Sequence, residues 1–250
     1  MDLLSNTRNE DLRVNPKVMI IFGPQKVGKT HALANLEGNL ILDFDEEGTD
    51  YYQCDRVKVK NFETFIALRK ELAEKKPMYK FITIDTLTTF YEEFINALAV
   101  HAYNTDNGKK KPLNWDINKL DYGKGHYYKR EALKKQIKFF EQFCETLIIS
   151  GHVADRAVND SDSTATIKEL DIEGKLKSII ASRVSAIGYM YRNASDKNEN
   201  MLTFKNTGDV LAGSRAVHLS GKEFLLSKKI EDPNDPSGYK IETYWENIFK

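Results

Sequence analysis

Five apolar residues, Val18-Met19-Ile20-Ile21-Phe22, run straight into Gly23-Pro24-Gln25-Lys26-Val27-Gly28-Lys29-Thr30. An unbroken apolar run of this length suits a strand covered on both faces. The eight residues after it fit G-x-x-x-x-G-K-[ST], with a strand before and a helix after, which is the context the pattern requires. The glycines let backbone N–H groups converge on phosphate oxygens, and the positive end of the following helix adds to the attraction. Lys29 is then expected to reach the outer phosphates of ATP, and Thr30 to place its hydroxyl on Mg²⁺. Gly23, Pro24, Gln25, Lys26, Val27, Gly28, Lys29, Thr30 and His31 form the expected cofactor cradle.

Three further apolar runs repeat the first: Leu40-Ile41-Leu42-Asp43-Phe44, Phe81-Ile82-Thr83-Ile84-Asp85 and Thr146-Leu147-Ile148-Ile149-Ser150. Helical spacing fills the intervals. Phe62, Phe65, Ile66 and Leu72 suit one helix, Leu87, Phe90, Tyr91, Phe94 and Leu98 a second, and Leu133, Ile137, Phe140 and Cys144 a third. Alternation of this kind predicts an α/β fold with a mostly parallel central sheet flanked by helices. Ser185–Tyr191 and Met201–Lys205, joined by the turn-rich Asn193–Asn200, add a β-hairpin toward the C-terminus. Thr105–Lys124 and Ala154–Thr166 read as long loops, and loops of that length are usually functional. The expected division is a flexible arm at 1–13, a core at 14–219 and a C-terminal extension at 220–250.

No apolar run approaches the roughly 18–20 residues of a bilayer span and no signal peptide opens the chain, so a cytoplasmic protein with no membrane partner is expected. Cys54 and Cys144 have neither disulfide nor zinc-ligand spacing. The 37 basic and 37 acidic side chains cancel, but they are segregated. Residues 31–55 hold seven acids and no Lys or Arg, whereas residues 105–140 hold ten basic and four acidic residues. Any argument from charge is therefore local.

Asp85, at the end of the third run, has the form of the acid that holds Mg²⁺ in nucleotide hydrolases; its bland alternative is a helix N-cap. Asp43, Asp45, Glu46 and Glu47 follow the second run, at the strand edge where α/β sheets place ligands. Hydrolysis needs a carboxylate there to orient a water, and these acids are its candidates; a solvated acidic turn is the other reading. His152, after the fourth run, is placed to hydrogen-bond a phosphate oxygen or to serve structure alone.

The phosphate loop, the acidic second-strand end, Ile84-Asp85-Thr86, Ser150-Gly151-His152 and Asp121-Tyr122-Gly123-Lys124-Gly125 together resemble the phage-encoded RecA-like P-loop ATPases, including those of single-strand annealing and recombination. The resemblance covers about residues 17–215. It implies ATP and Mg²⁺ as cofactors, a homo-oligomeric ring or filament with nucleotide between subunits, and single-stranded DNA binding through loops after the third and fourth strands. It also implies a phage or host single-strand-binding protein as a partner, and the host cytoplasm as the location. The family's catalytic glutamate lies two positions after an aspartate ending the second strand; that count lands on Asp45, a departure from the pattern, so either Asp45 does the work or the register slips to Glu46. His152 falls where the family senses the outermost phosphate.

Lys109, Lys110, Lys111, Trp115, Lys119, Lys124, Lys129 and Arg130 interleave cations with aromatic rings, the chemistry of single-strand binding, and Arg156 adds a cation in the second loop. A solvated basic loop and helix face is the alternative. Lys205 and Arg215 are candidates to act in trans at a neighbour's nucleotide, or are ordinary surface cations. Two other functional readings compete with a DNA-dependent ATPase: a nucleotide-gated scaffold binding a protein through its aromatic C-terminal tail, and a small-molecule phosphotransferase.

Overall fold

The computed structural model describes residues 12–160, 163–173, 176–234 and 238–250. Most of the expected N-terminal arm lies outside the described residues. In chain order the elements are β1 (Val18–Gly23), α1 (Lys29–Ala34), β2 (Asn39–Asp43), β3 (Arg56–Lys58), α2 (Phe62–Lys75) and β4 (Tyr79–Asp85). A helical run follows as α3 (Leu87–Thr89), a wider π-helical turn (Phe90–Ile95) and α4 (Asn96–Asn107). Next come α5 (Lys124–Phe140), β5 (Cys144–Asp160), β6 (Ser163–Leu170), α6 (Leu176–Arg183), β7 (Ala186–Arg192), β8 (Glu199–Thr203), β9 (Gly213–Ser214), β10 (Glu223–Glu231) and β11 (Tyr239–Thr243). Among the described residues, no helix is long and apolar enough to cross a membrane.

One sheet joins them in the order β11-β10-β8-β7-β1-β5-β4-β2-β3. The segment from β7 to β3 is parallel, and β8, β10 and β11 continue it as an antiparallel meander. The expected α/β architecture and the β7–β8 hairpin are therefore present. Every residue of β1 and β2 is buried, because covered parallel strands have no solvent face.

Successive residues of β1 serve opposite cores, as the two-residue repeat of a strand requires. Val18, Ile20 and Phe22 face α2, α4 and α5; Met19 and Ile21 face α1. The first core centres on nested rings of Phe44, Phe65, Phe90, Phe94 and Phe140, with neighbouring centroids 4.7–6.5 Å apart. α2 starts where the Asn61 side chain accepts from the Thr64 N–H at 2.8 Å, satisfying a donor the helix leaves unpaired.

Among the described residues, the second face has α1 as its only helix, six residues long, or about 9 Å. That is too short to cover a sheet face, and the C-terminal segment completes the layer. Trp245 is buried and its indole N–H donates to the Ala32 carbonyl at 2.8 Å. Ile248 is fully buried, and Phe249 packs on Phe81 with ring centroids 4.5 Å apart. Asn15 and the Lys250 backbone exchange hydrogen bonds of 2.7 and 3.0 Å. β10 and β11 are thus strands of the same sheet, and Trp245, Ile248 and Phe249 help to cover it. The aromatic side chains that suggested a protein-binding tail are spent on this packing.

Other expectations change as well. Ala154–Thr166 is no loop: β5 runs on to Asp160 and pairs antiparallel with β6 as a long ribbon. Thr105–Lys124 is partly ordered, since α4 continues to Asn107 and short 3₁₀ turns occupy Ile117–Lys119 and Asp121–Gly123. In α2 the buried face is Phe65, Leu68 and Leu72, whereas Ile66 is exposed. Cys144 opens β5 and does not belong to α5.

Because Trp245 supplies both ring volume and a hydrogen bond to α1, Trp245→Phe should lower unfolding free energy by about 0.5–1.5 kcal/mol through loss of that bond, the Ala32 carbonyl keeping the Asn35 N–H at 3.2 Å. Trp245→Ala should cost about 3–5 kcal/mol. Denaturant unfolding monitored by circular dichroism measures both.

Candidate functional site

The ends of β1, β2, β4 and β5 meet at one sheet edge. Register places Gly23 beside His152 and Asp43 beside Asp85. At Gly23 a Cβ would stand 2.2 Å from the Met190 carbonyl oxygen, so no side chain fits where the chain leaves the sheet. The loop then turns through left-handed conformations at Lys26 (φ 58°) and Gly28 (φ 102°), the second of which favours glycine. Pro24, Gln25 and Lys26 are exposed, while Val27 is buried in the α1 core and anchors the loop. His31 is half-buried and meets Tyr52 edge-on at 5.1 Å.

Lys29 is only 6% exposed, and its ammonium donates to the carbonyls of Gly23 at 2.9 Å and Pro24 at 2.8 Å. Burial lowers its pKa to about 8, against the opposing pull of Asp85 and Asp45. The Thr30 hydroxyl donates to Asp85 Oδ2 at 2.7 Å. Asp85 is buried, and desolvation holds its carboxyl above the usual range although the Ser150 and Thr30 hydroxyls pull the other way. Ser150 stands beside that carboxyl without forming a well-aligned hydrogen bond: its Oγ, like Asp85 Oδ1 and His152 Nδ1, is a buried polar atom with no partner. Burial, and then the charge of Lys29, keep the half-buried His152 below its ordinary pKa. It is therefore neutral at pH 7, with one ring nitrogen to donate and one to accept.

The acids after β2 divide their work. Asp43 is buried and holds the turn: it accepts from the Asp45 N–H at 3.1 Å, from the Thr49 N–H at 3.0 Å and from the Thr49 hydroxyl. Arg56 donates to that hydroxyl at 2.8 Å. Asp45 points inward, with Oδ1 accepting from Thr89 at 2.9 Å and Thr86 at 3.2 Å. Its charge reaches Lys29, Asp85 and His152. Glu46 is exposed and shares with Asp45 a surface cavity that Lys58, Lys60, Thr89 and Glu93 also line. Of the two candidate carboxylates, Asp45 is the one hydrogen-bonded to residues that follow Asp85.

These residues fit a nucleotide phosphate with Mg²⁺. Three orphaned polar atoms converge beside Lys29, and buried polar atoms without partners need such an account. A carboxylate and a hydroxyl are the hard oxygen donors Mg²⁺ takes alongside phosphate oxygens. Among the described residues, no cluster of three or more His, Cys, Asp or Glu forms a metal cage of its own.

Thr86, Thr89, Thr49 and Arg56 belong to this network and were not singled out from sequence; the run Thr86-Leu87-Thr88-Thr89 directly after Asp85 was the available signal. Asn200 had none. Its amide nitrogen lies 3.4 Å from where a Gly28 Cβ would stand and donates to Ser227 Oγ at 3.0 Å.

The basic residues do not form one surface. Lys109, Lys110, Lys111, Lys119 and Lys124 are exposed, as are Tyr122 at 98% and Tyr127 at 54%. Trp115 is half-buried, stacked on Tyr103 and covered by Lys111, whose ammonium is 4.8 Å from its ring centre. Lys129 corrects the expectation made for it. It is 5% exposed, with its ammonium 4.6 Å from the Tyr91 ring centre, because α5 turns that side chain inward. Arg130 is half-buried, and Arg156 lies 4.0 Å from the buried Glu169. Lys205 sits 4.0 Å from Glu223, and Arg215 donates to the Ser182 carbonyl at 2.8 Å. Pairing of Ser214 with Ala186, at the start of β7, puts Arg215 toward the sheet edge opposite the phosphate loop of its own chain.

No curated protein matches the sequence significantly. Among solved structures, the crystal structure of the RadB recombinase is similar with a TM-score of 0.41 and 9% identity, over 84% of this chain and 86% of that one. A family model described as an AAA domain matches residues 15–216. That span takes in every element from β1 to β9 and the whole phosphate site, and the chain therefore belongs to the AAA-domain family of P-loop proteins.

Proposed function

We propose that the protein is a Mg²⁺-dependent, RecA-like ATPase whose nucleotide state governs its hold on single-stranded DNA, in phage recombination, annealing or replication. The observation that carries the catalytic half is the convergence of Lys29, Thr30, Asp45, Asp85 and His152 at one sheet edge. Lys29 exchanges two loop carbonyls for phosphate oxygens, an exchange that favours the charged ammonium which burial disfavours. Thr30 and Asp85 are the residues that would hold Mg²⁺, which supplies charge neutralisation on the phosphate oxygens. The Asp45 carboxylate orients the attacking water, and neutral His152 donates toward the phosphate.

The DNA half rests on the exposed lysines 109–111, 119 and 124 with the exposed rings of Tyr122 and Tyr127. A contiguous route supports control by nucleotide. β5 continues beyond His152 into the ribbon with β6, and Glu173, just after β6, lies 3.8 Å from His126 and 3.5 Å from the Tyr91 hydroxyl. His126 is in the first turn of α5, beside the basic segment. Lys205 or Arg215 would act only from a neighbouring copy in a homo-oligomer.

Turnover of ATP should rise on adding oligo-dT, and Lys29→Ala should cut it at least about 100-fold. Absence of DNA stimulation and of a gel shift at low salt sinks the DNA half; normal turnover in Lys29→Ala sinks the site.

Charge on Lys29 gives a pH dependence. Bound phosphate raises a pKa that is about 8 in the free protein, so nucleotide affinity is full below pH 8 and weakens as pH climbs above it. Nucleotide titrations on either side of pH 8 measure this, and Lys29→Arg should flatten the response.

Replacing Lys109, Lys110 and Lys111 together by Ala should flatten the slope of log affinity for oligo-dT against log salt by about 2. Basal ATPase should stay within about twofold of native.

A further inference from the structure

We propose that Thr89, assisted by Thr86, is a positioning residue that fixes the Asp45 carboxylate for its work on the attacking water. The inference rests on the ATPase reading and adds to it the means by which the carboxylate is aimed.

An aspartate is a poor pointer by itself. Its terminal torsion is broad, so a carboxylate held only by its backbone sweeps a range of directions. Here the backbone is held first: the Asp45 N–H donates to Asp43 Oδ1 at 3.1 Å, and Asp43 is fixed by Thr49, itself bonded by Arg56. The side chain is then held by two hydroxyls that both donate to Oδ1, Thr89 at 2.9 Å and Thr86 at 3.2 Å. This leaves Oδ2 for a water. Bonds to an ionised acceptor are about twice as strong as neutral ones, so two of them set the torsion firmly.

The donors come from the right place. Thr86 follows Asp85 as the extended N-cap of the helical run beginning at Leu87, and Thr89 lies three residues on within that run; both hydroxyls reach the same Asp45 oxygen. The water-orienting carboxylate on β2 is thereby tied to the residues that follow the cation-holding carboxylate on β4. Thr88 lies between them on a different side, and its buried hydroxyl has no partner. It serves as an internal control, because replacing an unpaired buried hydroxyl by a methyl group costs little.

The test is steady-state ATPase kinetics on full-length protein, with nucleotide affinity and unfolding midpoint measured on each variant. Thr89→Val should lower kcat about 10- to 100-fold, the range a misplaced catalytic group costs. KM and nucleotide affinity should not change. Thr89→Ser, which keeps the donor, should recover most of the loss, and Thr88→Val should match native protein. In an Asp45→Asn background, Thr89→Val should have no further effect. Native kcat in Thr89→Val, a loss confined to KM, or no rescue by serine overturns the inference. Native kcat in Asp45→Asn removes the carboxylate from the mechanism and the inference with it. Absence of turnover in native protein defeats the ATPase reading itself. If Thr89→Val fails to fold, Thr86→Val carries the same test, with a smaller loss from its longer bond.

Discussion

Asp85 and Lys29 are two buried, oppositely charged side chains that do not pair with each other. One oxygen of Asp85 is held by Thr30 and the other by nothing, while Lys29 spends its donors on loop carbonyls. Burial pushes both toward neutrality, the carboxyl upward and the ammonium downward. Neither arrangement stabilises the fold: a buried polar atom left without a partner costs roughly 1–3 kcal/mol, and a charged one more. What the arrangement favours is a ligand carrying both signs, phosphate for Lys29 and a cation for Asp85. The rest of the molecule has to supply the stability this edge gives up.

It does so with a sheet buried on both faces but covered unevenly. One face carries α2, α4 and α5 over a nest of phenylalanine rings. The other carries a six-residue helix whose first residue is Lys29 itself. A helix that short has little packing of its own, so the position of Lys29 depends on what holds α1 down. Trp245, from the far end of the chain, bonds to Ala32 within that helix. The phosphate loop is thus braced by a residue more than two hundred positions along the chain, and loss of the Trp245 side chain should register at the nucleotide.

Readings from sequence succeeded where the cause was local. Glycine spacing, continuous apolar strands and an acid at a strand end depend on a few neighbouring residues, and Gly23–Thr30, β1, β2, β4 and Asp85 all stand where expected. They failed where the cause was tertiary. Nothing near Lys129 says that its side chain will cover Tyr91, and a helix rich in lysine reads as solvated throughout. Asn159-Asp160-Ser161-Asp162-Ser163 has turn composition, yet the residues before and after it pair as a ribbon, and pairing between strands is invisible to composition. The C-terminal aromatics read as a free tail because their partner, α1, is more than two hundred residues away.

The charge segregation resolves in the same way. The acids from the end of β2 onward form a dense run, and half of them are committed: Asp43 holds the turn, Asp45 is taken by two threonines, and Asp50 pairs with Arg56 at 2.6 Å and Lys58 at 2.5 Å, while Glu46, Glu47 and Asp55 stay exposed. Both cations come from β3, a three-residue strand that composition did not announce. Among the described residues, the basic segment has no such neutraliser for the exposed side chains of Lys109, Lys110, Lys119 and Lys124. A run of like charge is a field only if the fold leaves it unpaired. By that criterion Asp43, Asp45 and Asp50 are architecture, and the exposed lysines keep a field of their own.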